Sequence, residues 1–198
     1  MNRAVLAAFG DELLSGLRLE RNCNWLASKL HDAGWEVMAL EILPDREESV
    51  DDFLRRWVGH VDLIVTSGGL GSTHDDRTRF GFEQYLNSKL ELDHQAYDRI
   101  VQRYQGYTRE IIELCRSTQA LIPGEAASVY NPEGSGLGIF FRKKDTRVFA
   151  FPGIPSEYRA MAEQEILCNL DHQGFWTRLH ITGWAESISF GEEWGRLG

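Results

Sequence analysis

The stretch Thr66-Ser67-Gly68-Gly69-Leu70-Gly71-Ser72-Thr73-His74-Asp75-Asp76-Arg77-Thr78 gathers small, hydroxyl-bearing and acidic residues in one place. Gly68, Gly69 and Gly71 let the backbone turn tightly and approach a ligand closely. Amides near a helix start direct their dipoles at an anion, and the hydroxyls of Ser72 and Thr73 add further donors, so phosphate is the natural guest. The adjacent carboxylates of Asp75 and Asp76 would repel that phosphate unless a cation sits between them. Hard oxygen ligands suit Mg²⁺ or Mn²⁺. The chemistry implied is a metal–phosphate site, with Asp75 and Asp76 as metal ligands and His74 as a further candidate that has no visible second ligand. The same stretch reads equally as a surface turn in which Asp76 caps a helix beginning at Thr78. It lacks the lysine of the P-loop and the glycine spacing of the dinucleotide fingerprint.

The elements that must position this loop follow from hydrophobic pattern. Asp62-Leu63-Ile64-Val65 is a short β-branched run that reads as a buried strand, and a helix follows over 78–86. Earlier, Ala4 to Phe9 reads as a strand, and Gly10-Asp11-Glu12-Leu13-Leu14-Ser15-Gly16 as a second acidic, glycine-bearing loop. A helix over 22–33 stops at Gly34, and a strand over 35–43 ends at Pro44-Asp45. A third helix is expected over 49–59. Strand and helix alternate three times, which predicts a parallel sheet with helices on both faces. Ligands of such sheets bind beyond the carboxyl ends of the strands, so the 10–16 and 67–77 loops face one crevice if their strands are neighbours.

Further on, helices are expected over 94–104 and 109–116, and lysine and arginine through this region read mostly as a solvated face. Strands over 138–142 and 147–151 form a hairpin turning at Lys143-Lys144-Asp145. Phe151-Pro152-Gly153-Ile154-Pro155-Ser156 leads into a helix reaching about Asn169, with Ser156 as its N-cap. A last strand candidate spans 178–182.

With 21 basic against 30 acidic side chains the formal net charge is −9, which argues against a nucleic-acid partner held by a broad basic face. An anionic substrate then needs local cations. No apolar run approaches the roughly 20 residues that cross a bilayer, and the N-terminus carries no basic-then-apolar leader pattern, so a cytoplasmic protein without membrane partners is expected. Cys23, Cys115 and Cys168 are far apart and without zinc spacing, and they read as buried or incidental thiols.

Taken together, the motifs resemble the molybdopterin-binding (MoCF-biosynthesis) domain superfamily, most closely the N-terminal domain of CinA-type competence/damage-inducible proteins. The residues that carry the resemblance are Gly10-Asp11-Glu12-Leu13-Leu14 with Gly16 and Asn22, Ser67 to Thr73 with Asp75, Asp76 and Thr78, and Gln119-Ala120 before Pro123-Gly124. Asn131 with Gly134 and Gly138, and Pro152-Gly153-Ile154-Pro155 with Glu157, complete the set. Ser72 stands where relatives usually have proline, Ser117 near a usual asparagine, and only Asn22 is kept of an acidic-Thr-Asn run.

The resemblance implies a three-layer α/β/α fold with a mostly parallel central sheet over 1–170. Residues 171–198 would be a short extension or truncated linker, and deamidation of nicotinamide nucleotides is not implied. It also implies hydrolysis of a pyrophosphate such as ADP-ribose or an FAD-like dinucleotide, dependent on Mg²⁺, Mn²⁺ or Co²⁺. In other branches it implies molybdopterin binding or adenylylation. Asp11, Glu12 and Asp76 would be catalytic, with Glu12 alternatively paired to Arg18. Ser67, Gly68, Gly69, Gly71, Ser72, Thr73, Asn131, Gly134, Pro152 and Gly153 would hold the nucleotide or pterin. Relatives are commonly homo-oligomers.

Overall fold

The computed structural model describes residues 2–72, 76–104, 106–116 and 118–170. Its centre is a six-stranded sheet in the order β2-β1-β3-β8-β7-β6. The strands are β1 (Arg3–Phe9), β2 (Glu36–Leu43), β3 (Leu63–Ser67), β6 (Ala127–Val129), β7 (Gly138–Lys143) and β8 (Thr146–Phe151). β2, β1, β3 and β8 pair in parallel, and β7 and β6 continue the sheet antiparallel. A separate antiparallel pair joins β4 (Leu90–Leu92) to β5 (Leu121–Pro123).

Alternation along the strands explains the layers. Ala4, Leu6 and Ala8 of β1, Leu63 and Val65 of β3, and Phe149 and Phe151 of β8 point to one face. There they meet Leu26 and Leu30 of α2 (Asn22–Asp32) and Tyr158 and Met161 of α7 (Pro155–Glu165). Val5, Ala7, Ile64, Val148 and Ala150 point to the other face. That side is covered by Val50, Phe53 and Leu54 of α3 (Glu47–Trp57) and by Phe82 and Leu86 of α4 (Thr78–Leu86). Both sides of the central strands are dry, which is why they read as continuous apolar runs rather than alternating ones. The expected three-layer α/β/α fold with a mostly parallel centre is what forms. The remaining helices are α1 (Asp11–Leu14), α5 (His94–Arg103) and α6 (Arg109–Arg116), with a 3₁₀ turn over Leu167–Asn169.

Several boundaries differ from the sequence expectation. Part of the 10–16 loop is one helical turn, α1. The third helix starts at Glu47, where Glu47 and Glu48 place acids in its first turn. Ser156 is not an N-cap: Ile154 takes that place because Pro155 occupies the first helical position, and no side chain caps the turn. That helix ends at Glu165 and tightens into the 3₁₀ turn. The candidate strand over 178–182 lies outside the described residues.

β1 is followed by β2 on one side and, after α3, by β3 on the other. The strand order therefore switches direction at β1, and the β1/β3 carboxyl ends form the crevice where α/β sheets bind ligands.

Candidate functional site

The register aligns Ala8 with Ser67 and Ser67 with Phe151, so the turns after β1, β3 and β8 leave the sheet side by side. Their contact is intimate. Gly68, at φ +98°, lies so close to Phe9 that a β-carbon would overlap the Phe9 carbonyl oxygen. A β-carbon on Gly153 would stand 3.4 Å from the Gly68 Cα. Gly69, at φ +66°, is pressed against Thr78 and the Asp45 carboxylate. Only glycine meets both the backbone and the space requirements here.

Asn22, at the start of α2, ties two of these turns together: its Nδ2 donates to Ser67 Oγ and to the Gly153 carbonyl, both at 2.9 Å. Its buried Oδ1 has no partner among the described residues. Pro152 packs against the 131–137 loop, 3.5 Å from a β-carbon placed on Gly136. Asn131 organises that loop with all its polar capacity. It donates to the Gly136 carbonyl at 3.0 Å and to Glu157 Oε2 at 2.7 Å, and accepts from the amides of Glu133 and Gly134. Gly134 in turn lies directly against Glu157. Asn131 and Gly134 thus shape a wall of the crevice, and the Asn131 amide has nothing left to offer a ligand.

The glycine loop also spends amides on itself. Gly68 N donates to the Phe151 carbonyl at 3.1 Å, and Gly71 N donates to Asp76 Oδ1 at 2.9 Å. Neither amide points to a phosphate as the sequence reading had it; both fix the loop. The amide of Gly69 and the hydroxyl of Ser72 make no hydrogen bond among the described residues. Thr73, His74 and Asp75 lie outside them.

Asp76 does not cap the first turn of α4. Asp45, from the turn after β2, accepts from Arg77 N at 3.0 Å and from Thr78 Oγ1 at 3.3 Å. Arg77 is engaged elsewhere: it pairs with Glu47 and stacks 4.4 Å from the centre of the Phe80 ring. Among the described residues Glu12 forms no ion pair with Arg18, and its carboxylate folds over Gly10 instead. Behind the loop, Arg79 is buried and donates to the Leu70 carbonyl at 3.2 Å. Burial pulls its guanidinium down to about 10, with Asp76 opposing, so it remains a cation.

Asp45 is the residue that sequence reasoning missed. Burial pushes its carboxyl up to about 6, with the negative charges of Asp76 and Asp11 adding to the rise against hydrogen bonds that lower it. The charges of Asp11, after β1, and Asp76, after β3, both reach Asp45. The signal was present, since Pro44-Asp45 ends a parallel strand at the edge where ligands bind. The folded value lies above the unfolded one, so between roughly pH 4 and 6 the folded chain holds a proton that the unfolded chain releases. Stability from this group therefore falls as pH rises through that window. Asp45→Asn is expected to flatten that slope and to stabilise the fold above neutrality by about 1–2 kcal/mol, read by urea unfolding at acidic and slightly alkaline pH. A slope that persists in the variant would remove Asp45 from this role.

The family of probable molybdopterin-binding domains matches residues 5–172. A protein of Pyrococcus abyssi is 32% identical over 180 residues, covering 87% of this chain and 71% of its own length. A CinA-like protein of Flavobacterium psychrophilum is 27% identical over 168 residues, covering 85% of this chain; the chain spans only 40% of that relative. Among solved structures, the protein CinA of Thermoplasma acidophilum superposes with TM-score 0.75 at 27% identity, covering 82% of this chain and 95% of that one. MoaB of Pyrococcus furiosus, a tungsten cofactor synthesizing protein, shares the fold at TM-score 0.51 and 16% identity, over 86% of this chain and 96% of that one. The match across most of its length makes this chain a CinA-like member of the molybdopterin-binding, MoCF-biosynthesis domain family.

Proposed function

We propose that the crevice hydrolyses the pyrophosphate bond of a nucleotide, ADP-ribose or an FAD-like dinucleotide, with a divalent cation. The observation that supports this is a glycine loop with the Asp45 carboxylate packed on Gly69, Asp76 accepting from Gly71 N, and a buried arginine behind it. Among the described residues no three His, Cys, Asp or Glu side chains form a ready metal cage. A Mg²⁺-type site does not need one, since it uses one or two carboxylates and completes its shell with water and substrate phosphate oxygens. Asp76, with Asp45 or Asp75, offers that chemistry; burial is the main cause of the raised Asp45 carboxyl, and a cation would relieve the smaller part that Asp76 and Asp11 add. When bound, the cation (Mg²⁺, Mn²⁺ or Co²⁺) supplies Lewis acidity and lowers the pKa of an attacking water.

The chain's own groups do the rest. Gly69 N and Ser72 Oγ, with Thr73, position the phosphates. Arg79 offsets their charge from behind. Asp11 or Glu12, on the turn after β1, orients the water and takes its proton. The test is to incubate the purified protein with ADP-ribose or FAD and each cation and to analyse products. AMP release is expected; absence of cleavage with all three cations overturns the reading.

The family description favours a second reading, in which a pterin or nucleotide is held without chemistry. Protection from thermal unfolding by molybdopterin or AMP with no product formed would select it. In either reading the guest is a small molecule, and no described helix is long and apolar enough to cross a membrane. The exposed Leu14, Leu17 and Leu19 support a homo-oligomer as part of the same proposal.

A further inference from the structure

Between the 131–137 loop and α5 a cavity of about 330 Å³ opens, and Asn131 and Gly134 of the crevice wall also line it. Arg99, Gln102 and Arg103 of α5 and Ser135 of the loop line it with polar groups, and Ile100, Leu137 and Tyr130 line it with apolar surface. Arg99 and Arg103 are four residues apart on a helix and so project from the same face.

Among the described residues neither forms an ion pair with a carboxylate. Arg99 stacks its guanidinium 4.5 Å from the centre of the Tyr130 ring, and its charge also reaches Asp93, the N-cap of α5. Arg103 donates from Nη2 to the Glu133 carbonyl at 2.6 Å, which spends one of its five N–H donors and fixes the side chain against the loop. Ser135 Oγ and Tyr104 Oη lie 2.9 Å apart, placing hydroxyls beside the two cations. In a chain of net charge −9, a paired, partly immobilised set of guanidiniums over an apolar floor is a local reversal of sign.

We propose that this cavity, which shares Asn131 and Gly134 with the crevice wall, binds a phosphate monoester of a small hydroxylated body through its α5 arginines. A phosphate monoester carries up to two negative charges and three acceptor oxygens, which two planar forks satisfy better than one. The volume sits at the small end of small-molecule cavities, enough for a phosphate and a sugar. Gln102 and Ser135 supply the polar contacts for sugar hydroxyls. Unlike the glycine loop, the cavity has no acid among the residues that line it, so its ligand needs no cation. The proposal is independent of whether the crevice hydrolyses anything.

The test is calorimetric titration of the full chain in EDTA with ribose 5-phosphate, AMP and inorganic phosphate in separate arms. Ribose 5-phosphate is expected to bind saturably and to weaken as salt rises, with inorganic phosphate weaker because it lacks the body. R99Q and R103Q are each expected to weaken binding about tenfold. The double variant should bind nothing while its thermal melt stays that of the wild type, since both side chains are exposed. R99K/R103K, which keeps the charge and loses the forks, should recover only part of the affinity. The proposal is overturned if none of the three probes saturates at millimolar concentration, if binding survives in the double glutamine variant, or if it requires an added metal.

Discussion

Asp76→Ala is expected to cut AMP release from ADP-ribose or FAD by about 10²–10³-fold, the loss that follows removal of one well-placed charged group at a phosphoryl centre. Two functions disappear at once in that variant. On the proposed mechanism the carboxylate no longer serves the cation, and Gly71 N loses the acceptor 2.9 Å away that closes the loop. Asp76→Asn separates them: its amide oxygen can still accept from Gly71 N, but the charge is gone. Steady-state rates for both variants, beside thermal melts, decide the matter. If the asparagine variant turns over like the wild type, the Asp76 charge is not part of the chemistry. If only the alanine variant fails, and melts early, Asp76 is a loop brace.

Gly68→Ala is expected to produce the largest stability loss of any single change at the crevice. A side chain at φ +98° costs roughly 1–2 kcal/mol by itself. The new methyl would also occupy the position of the Phe9 carbonyl oxygen, and backbone in the middle of a parallel sheet gives way poorly. Together these effects amount to about 2–4 kcal/mol, or a melting temperature lower by roughly 5–15 °C for a chain of this size. Circular dichroism melting curves read the shift directly. An unchanged midpoint would mean that the β1 and β3 turns do not hold each other as described.

How much of this was legible beforehand depends on the range over which each residue acts. Leu63 to Val65 and Ala4 to Phe9 announced themselves because a strand buried on both faces needs apolar side chains at every position, and Gly34, at φ +82°, marked the end of α2 as a C′ glycine does. Leu121-Ile122-Pro123 did not read as a strand, because three residues ending in proline carry too little pattern and only one partner ladder. Asp45 was missed for a different reason. Its hydrogen-bond partners lie 32 and 33 residues away, so its role depends on which loops the sheet brings together and not on its neighbours in sequence. The amides of Gly68 and Gly71 were misjudged likewise: spacing shows that a loop can offer donors, and only the fold shows where they are spent.

The Asn22 side chain has a further consequence, for the order of events in folding. It joins Ser67, 45 residues on, to Gly153, 131 residues on, and its amide can reach both only after β8 has settled beside β3. The first three strands and their helices can collapse by short-range closures, while this link waits for one of the longest closures in the described chain. The crevice is therefore absent from a nascent chain until Gly153 has been made, and it comes into being as the sheet closes.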